Sequence, residues 1–444
     1  MTSWLQAIND PSWHARVWRL SVPVILANLS PPLVGLADTA VMGRMPDASH
    51  LAAVTLGAVV LSSIYWLFGF LRMGTTARVA QAYGADDTQE LFACCLRAAL
   101  LALGLTAVLF ALSPGFLLLA RLAFDTEPAV ETMSQSYLAI RLLGLPAYLL
   151  QLVLLGALFG LQRMTLAMAL MVALNGLNLG LDVLFVVHFG WGVDGVAWGT
   201  VLSEWLIVLI TLPIVARLVR PQTDLNRGLF WDTTRWRSLF GMSQDLFIRT
   251  LFVQLPFLAN VKLATQLGTT VVAGNAILMQ LFFVSTFALD GIAHAAESLA
   301  GYAVGRNDRA YLQQTLVYSA LWATIFALLL SLIFACFADS FIDFMTTIEP
   351  VAQSAKTYVG WLIALPLLGV FAFLFDGLFI GAGATRELRN SMVLAASAYI
   401  VVVAATLPSA GNNALWLAMA VFMVVRSATL ARTYPKLATQ LTTN

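Results

Sequence analysis

Long apolar runs, each close to 20 residues and separated by short polar connections, succeed one another from residue 18 to residue 430. A helix rising ~1.5 Å per residue needs about 20 such residues to cross the hydrocarbon of a bilayer. Windows of that size fall at 18–41, 51–74, 91–113, 129–153, 161–188, 192–216, 238–262, 270–299, 311–336, 352–379, 391–408 and 413–430, which predicts twelve transmembrane helices. Cations gather in alternate connections: Arg16 and Arg19, Arg78, Arg163, the five arginines from Arg217 to Arg237, Arg306 and Arg309, Arg386 and Arg389, then Arg432 and Lys436. The opposite connections hold little beyond Arg44, Arg121 and Lys356. Because cations are retained on the cytoplasmic side, both termini are expected there, in a multi-pass protein of a bacterial cytoplasmic membrane.

Composition agrees with lipid as the solvent. Hydrophobic residues make up 60% of the chain and charged ones 11%, against roughly 25% charged in soluble domains. A formal charge of +1 without a long basic run excludes a nucleic-acid partner. Cys94, Cys95 and Cys336 have no metal-ligand or disulfide spacing. The four histidines, His14, His50, His188 and His294, are scattered over separate segments, so no His-Glu-x-x-His metal motif arises, and no Walker A sequence is present. No cofactor, no metal and no enzymatic activity are therefore expected. The first span, preceded by Asp10 and His14, is expected to act as an uncleaved signal. Trp4, Leu5, Ile8, Trp13 and Trp18 suggest a short interfacial helix before it.

The chain resembles itself at a displacement of about 220 residues. Leu145-Pro146 returns as Leu365-Pro366, Leu158-Phe159 as Leu378-Phe379, and Tyr83-Gly84-Ala-Asp-Asp87 as Val304-Gly305-Arg-Asn-Asp308. Six spans per half give two copies of the same orientation, the parallel kind of transporter repeat. The expected organisation is an N-terminal lobe at 1–216, a cytoplasmic linker at 217–237 and a C-terminal lobe at 238–444. Duplicated bundles that rock about a central cleft give alternating access, which favours a transporter over a channel or a membrane enzyme.

A charge inside a span costs at least ~2.5–3.5 kcal/mol, so carboxylates there are functional candidates. They are Asp38, Asp182, Glu204, Asp290, Glu297 and Asp376, with Arg141 and Arg249 the cations nearest mid-span. Counted from cytoplasmic entry, Asp38 and Asp182 both sit roughly 25–30 Å deep and can share a pocket. Met164, Met168, Met171, Asn175, Asn178 and Asp182 recur at steps of three and four, so they share one face of the fifth helix. Methionines suit varied apolar ligands and also pack helices; the asparagines suit support of a protonatable acid. Pro31-Pro32 just before Asp38 predicts a bend. Burial disfavours a charged carboxylate and protonation removes that cost, so proton uptake by Asp38 and Asp182 is expected to alter how the first helix bends. Asp290 and Asp376 are placed toward the cytoplasmic ends of their spans, and Glu297 nearly at the surface. Arg249 needs a partner in lipid, with Glu204, Asp290 and Asp376 as candidates. His294 beside Glu297 reads as an interfacial histidine.

The segments Gly35-Leu-Ala-Asp38-Thr-Ala-Val-Met-Gly43, Asn175-Gly-Leu-Asn178-Leu-Gly-Leu-Asp182, Asp290-Gly-Ile-Ala-His-Ala-Ala-Glu297 and Asp376-Gly-Leu-Phe-Ile-Gly-Ala-Gly383 together resemble the multidrug and toxic compound extrusion (MATE) family, in its DinF-like branch. The resemblance implies an all-α protein with two six-helix lobes about a V-shaped cleft, exporting organic compounds against entry of protons or sodium. It implies an N-lobe proton site at Asp38 and Asp182, supported by Asn175 and Asn178, and an acid on the tenth helix at Asp376. Sodium-coupled relatives carry another acid on the seventh helix, where Arg249-Thr-Leu-Phe-Val-Gln254 has none. The expected function is a proton-coupled antiporter, acting as a monomer on amphipathic or cationic small molecules. The alternatives are a sodium-coupled exporter, a flippase for lipids or lipid-linked oligosaccharides, a membrane-embedded enzyme and a passive channel.

Overall fold

The computed structural model describes residues 10–28, 48–123, 127–221 and 227–441. Without water in the hydrocarbon, each backbone amide and carbonyl must be satisfied within its own segment, which selects helices. The helices are α1 Pro11–Asn28, α2 Ala48–Leu67, α3 Phe70–Gly84, α4 Thr88–Ala123, α5 Pro128–Leu142, α6 Leu145–Gly160, α7 Met164–Asp182 and α8 Gly192–Leu218. After these come α9 Arg227–Phe230, α10 Thr233–Ala264, α11 Thr269–Gly305, α12 Arg309–Met345, α13 Glu349–Thr357, α14 Val359–Gly381, α15 Thr385–Ala410 and α16 Asn412–Thr439. Among the described residues ten spans are long and apolar enough to cross a bilayer, and α5 with α6, bent by 48°, supplies an eleventh. Eleven of the twelve predicted windows meet these spans in order. The predicted first span lies largely outside the described residues, which include only its beginning in α1. Leu258, at 70% exposure, and Val401, at 66%, show the apolar outer surface that a lipid solvent permits.

Contacts divide the chain into two units, residues 26–239 and residues 240–444 together with 1–25. The expected boundaries at 216 and 238 lie close to this division, which differs at two places. The start of α1 belongs with the C-terminal unit: Trp13 packs on Tyr311 and Tyr318, Trp18 on Trp322, and Trp322 Nε1 donates to His14 Nδ1 at 3.1 Å. Trp13 and Trp18 are thus packing residues of α1. The linker belongs with the N-terminal unit, where Arg97 Nη1 donates to the Leu229 carbonyl at 3.0 Å and Arg235 pairs with Glu90.

The duplication is written into the backbone. Asp86 and Asn307 take the same left-handed conformation, with φ of 52° and 53°, at matching places of the repeated connection. Asp87 and Asp308 then play one role, each Oδ1 accepting from a backbone amide of the next helix at 2.9 Å, from Glu90 and from Tyr311. Helix packing repeats too. Gly156 and Gly160 of α6 bring α6 onto α3, where an added Cβ would lie 2.6 Å from the Arg72 carbonyl and 2.8 Å from that of Thr76. Gly377 and Gly381 of α14 press in the same way on the carbonyls of Ala293 and Glu297 in α11. Glycines four apart let two helix backbones approach closely, which substitutes for the hydrophobic drive that lipid lacks.

Candidate functional site

In the N-terminal unit Asp182 is the last residue of α7, with no exposed surface, and the chain passes there into a π-helical segment at Val183–His188. Such insertions into a helix concentrate at functional sites. Phe185 of that segment stacks on Trp191 with ring centroids 4.9 Å apart, which pins the irregular turn. Helix α8 faces the acid with Gly199, where an added Cβ would collide with Asp182 Oδ1. One turn earlier on α7, Asn178 Nδ2 donates to Thr200 Oγ1 at 3.1 Å. The helical face read from the sequence is present: Met164, Asn178 and Asp182 are buried and Met168, Met171 and Asn175 half-buried, while Thr165, Ala169, Val172 and Gly176 are exposed. Asp38, Pro31 and Pro32 lie outside the described residues.

The same unit holds a second charge cluster at the break between α5 and α6. Arg141 Nη1 donates to Glu204 Oε1 at 3.1 Å, both side chains being buried. Tyr65 stacks on Tyr148 at 4.0 Å, with the Arg141 guanidinium 5.6 Å from the Tyr65 ring. Gly144 at the break leaves room for the Glu204 carboxylate, which an added Cβ would strike. Glu204, offered from the sequence as a partner for Arg249 of the C-terminal lobe, instead serves Arg141 within the N-terminal unit. Separation along the chain hid the pairing, since 63 positions part the two residues.

In the C-terminal unit Asp376 Oδ2 accepts from two guanidiniums, Arg249 and Arg426, the second at 2.6 Å. Arg249 thus finds Asp376 among its three candidates. Arg426 was not among the expected cations, although it is 2% exposed and stands inside an apolar run of the last helix. The signal that reveals it is local: a lone arginine inside an apolar run needs an acidic partner in lipid. Asp290 is half-buried on α11 and within electrostatic reach of Arg426. Glu297, expected near the membrane surface, is enclosed by protein: it has no exposed surface, and His294 Nδ1 lies 3.1 Å from its Oε2. The cause is close helix packing: Gly381 of α14 presses on the Glu297 carbonyl, two turns before the end of the 37-residue α11. Asn275 and Asn412 form a reciprocal buried pair at 2.6 and 2.8 Å, joined by Trp416 Nε1. Among the described residues no group of three or more His, Cys, Asp or Glu side chains is gathered as for a metal ion.

Comparison with known proteins agrees with this architecture. The model of the MatE family matches the chain twice, at residues 23–184 and 246–407, a spacing close to that of the internal repeat. The DNA damage-inducible protein F of Escherichia coli strain K12 is 37% identical over 421 residues, covering 94% of this chain and 90% of that protein. The probable multidrug resistance protein NorM of Thermotoga maritima is 23% identical over 440 residues, covering 94% and 91%. A crystal structure of MATE in complex with MaL6 superposes with a TM-score of 0.84 at 22% identity over 99% of both chains. That likeness shows an all-α membrane fold of twelve transmembrane helices in two related bundles. Repeated family match, full-length relative and shared fold lead to one conclusion: the chain belongs to the MatE family, and is a multi-pass membrane transporter, not an enzyme.

Proposed function

We propose that this transporter exports amphipathic or cationic organic compounds in exchange for protons, with Asp182 and Asp38 as the coupling acids. The observation that carries the reading is the setting of Asp182: a carboxylate without exposed surface, at the junction of α7 with a π-helical segment, packed against a glycine of the next helix. An acid so enclosed is costly when charged, and a π junction is a place where helix geometry can change in register with its protonation. Asn178, anchored to Thr200, and Asn175 stand on the same face as polar support. Met168 and Met171 continue that face as adaptable surface for substrate, while Met164 lies deeper in the packing. Bending of the first helix at Pro31-Pro32 is the proposed conformational response. Export of drugs follows the relatives, among them the NorM protein of Thermotoga maritima.

Protons are favoured over sodium by the C-terminal unit. Asp376 is already clamped by Arg249 and Arg426, and a sodium ion there would have to displace two guanidiniums. The same pairing weighs against a lipid-linked oligosaccharide flippase, because Arg141 is committed to Glu204 and the other two arginines to Asp376. The test is transport of a fluorescent organic cation in proteoliposomes under separately imposed proton and sodium gradients. A proton gradient alone drives transport, and Asp182→Asn abolishes the drive. Drive by sodium alone, or undiminished proton-driven transport in that variant, refutes the proposal.

A further inference from the structure

At the end of the N-terminal unit remote from Asp182, where α3 turns into α4 and α10 begins, lies a cavity of about 270 Å³. It is smaller than the roughly 300–1,000 Å³ of sites for drug-sized ligands, yet several times the ~30 Å³ that a water molecule takes in the liquid. Three guanidiniums line it, from Arg78, Arg97 and Arg235, against a single carboxylate, Glu90. Glu90 is used by two of them: its Oε1 accepts from Arg97 at 2.5 Å and its Oε2 from Arg235. Arg78 donates instead to the neutral hydroxyl of Ser238. Asp232 meets Arg235 at 3.4 Å but is not part of the lining. The walls therefore carry more positive than negative charge around a space the size of a small anionic group, with Arg97 only 3% exposed.

The geometry points to a binding site for a phosphate-bearing anion in this cavity, held by Arg78, Arg97 and Arg235 with the hydroxyls of Ser238 and Thr234 beside them. Guanidiniums suit the role because their planar donor forks match phosphate oxygens two at a time. The cavity opens among the connections that the distribution of cations assigns to the cytoplasmic face, where anionic lipid headgroups and free phosphates are both at hand. The first turns of α10 close one wall through Thr234, Arg235 and Ser238, so an occupant would also fasten the start of α10 to α3 and α4.

The experiment measures thermal unfolding of the whole protein in phosphatidylcholine nanodiscs. One arm adds phosphatidylglycerol to the lipid; the other adds inorganic phosphate, compared with chloride at matched ionic strength. A ligand that binds only the folded state raises Tm. The expected result is a rise of several degrees in one arm, at least halved by Arg78→Gln and retained by Arg217→Gln, which removes an exposed arginine elsewhere. A rise with phosphatidylglycerol only assigns the site to a lipid headgroup, and one with inorganic phosphate to a soluble anion. Absence of a rise in both arms, or equal rises in the two variants, overturns the proposal. Should Arg78→Gln fail to fold, Thr234→Glu places a carboxylate at the exposed rim and must abolish the rise; its persistence likewise overturns the proposal.

Discussion

Replacing Gly199 by alanine tests whether the space beside Asp182 matters for transport. A Cβ at that position would overlap Asp182 Oδ1 and lie 3.2 Å from both the Asp182 Cγ and its backbone nitrogen. The carboxylate must then turn away or α7 and α8 must separate. Overpacking of this kind costs about 1–3 kcal/mol, while exchanging glycine for alanine within a helix returns up to ~1 kcal/mol in propensity. The net loss, about 0–3 kcal/mol, leaves a folded protein, but one whose coupling acid is displaced. Gly180 and Gly176 provide matched controls on α7 itself, since an added Cβ meets nothing within 4 Å at either. Purified variants would be compared for Tm and for proton-driven export of a fluorescent cation in proteoliposomes. Gly199→Ala is expected to lose most transport with a drop in Tm of a few degrees at most, whereas Gly180→Ala and Gly176→Ala keep both. Wild-type transport by Gly199→Ala, or an equal loss in Gly180→Ala, would refute the reasoning.

The ion pairs yield further expectations. Asp376→Asn removes the carboxylate that Arg249 and Arg426 share and should cost about 3–5 kcal/mol, whereas Arg426→Gln costs less because Asp376 keeps Arg249; equal drops in Tm would contradict the shared clamp. In the N-terminal unit, the double variant Arg141→Met with Glu204→Leu should be more stable than either single variant, because each single change strands a buried charge; additive losses would show that the pair is not coupled. At the start of α1, hydrogen bonds from Ser12 hold the Asp10 carboxyl below its ordinary 3.8. Since the folded value is the lower one, this cap is fully formed above pH 3.8 and is lost as pH falls through the folded value. Hydrogen exchange in the first turn of α1, corrected for intrinsic rate, should rise in that acid range, and Asp10→Ala should raise it at neutral pH as well; identical protection in the two proteins would sink the idea.

What the sequence determined by itself follows from the solvent. Lipid demands about 20 apolar residues per crossing and penalises stray charge, so spans, connections and intramembrane acids are all visible along the chain. The repeat was legible in Gly84 to Asp87 and Gly305 to Asp308 because the same left-handed turn and the same aspartate cap are needed in both copies. The face bearing Met164, Asn178 and Asp182 was legible because 3.6 residues per turn fixes which positions share a side. Only tertiary structure decided which charges neutralise one another. Arg249 and Asp376 are 127 positions apart and Arg426 and Asp376 are 50 apart, and no local period encodes such a meeting. Burial was also decided there: Glu297 is enclosed because glycines of α14 draw that helix against α11. Residue type announces that a charge in lipid must have a partner, but helix packing chooses the partner.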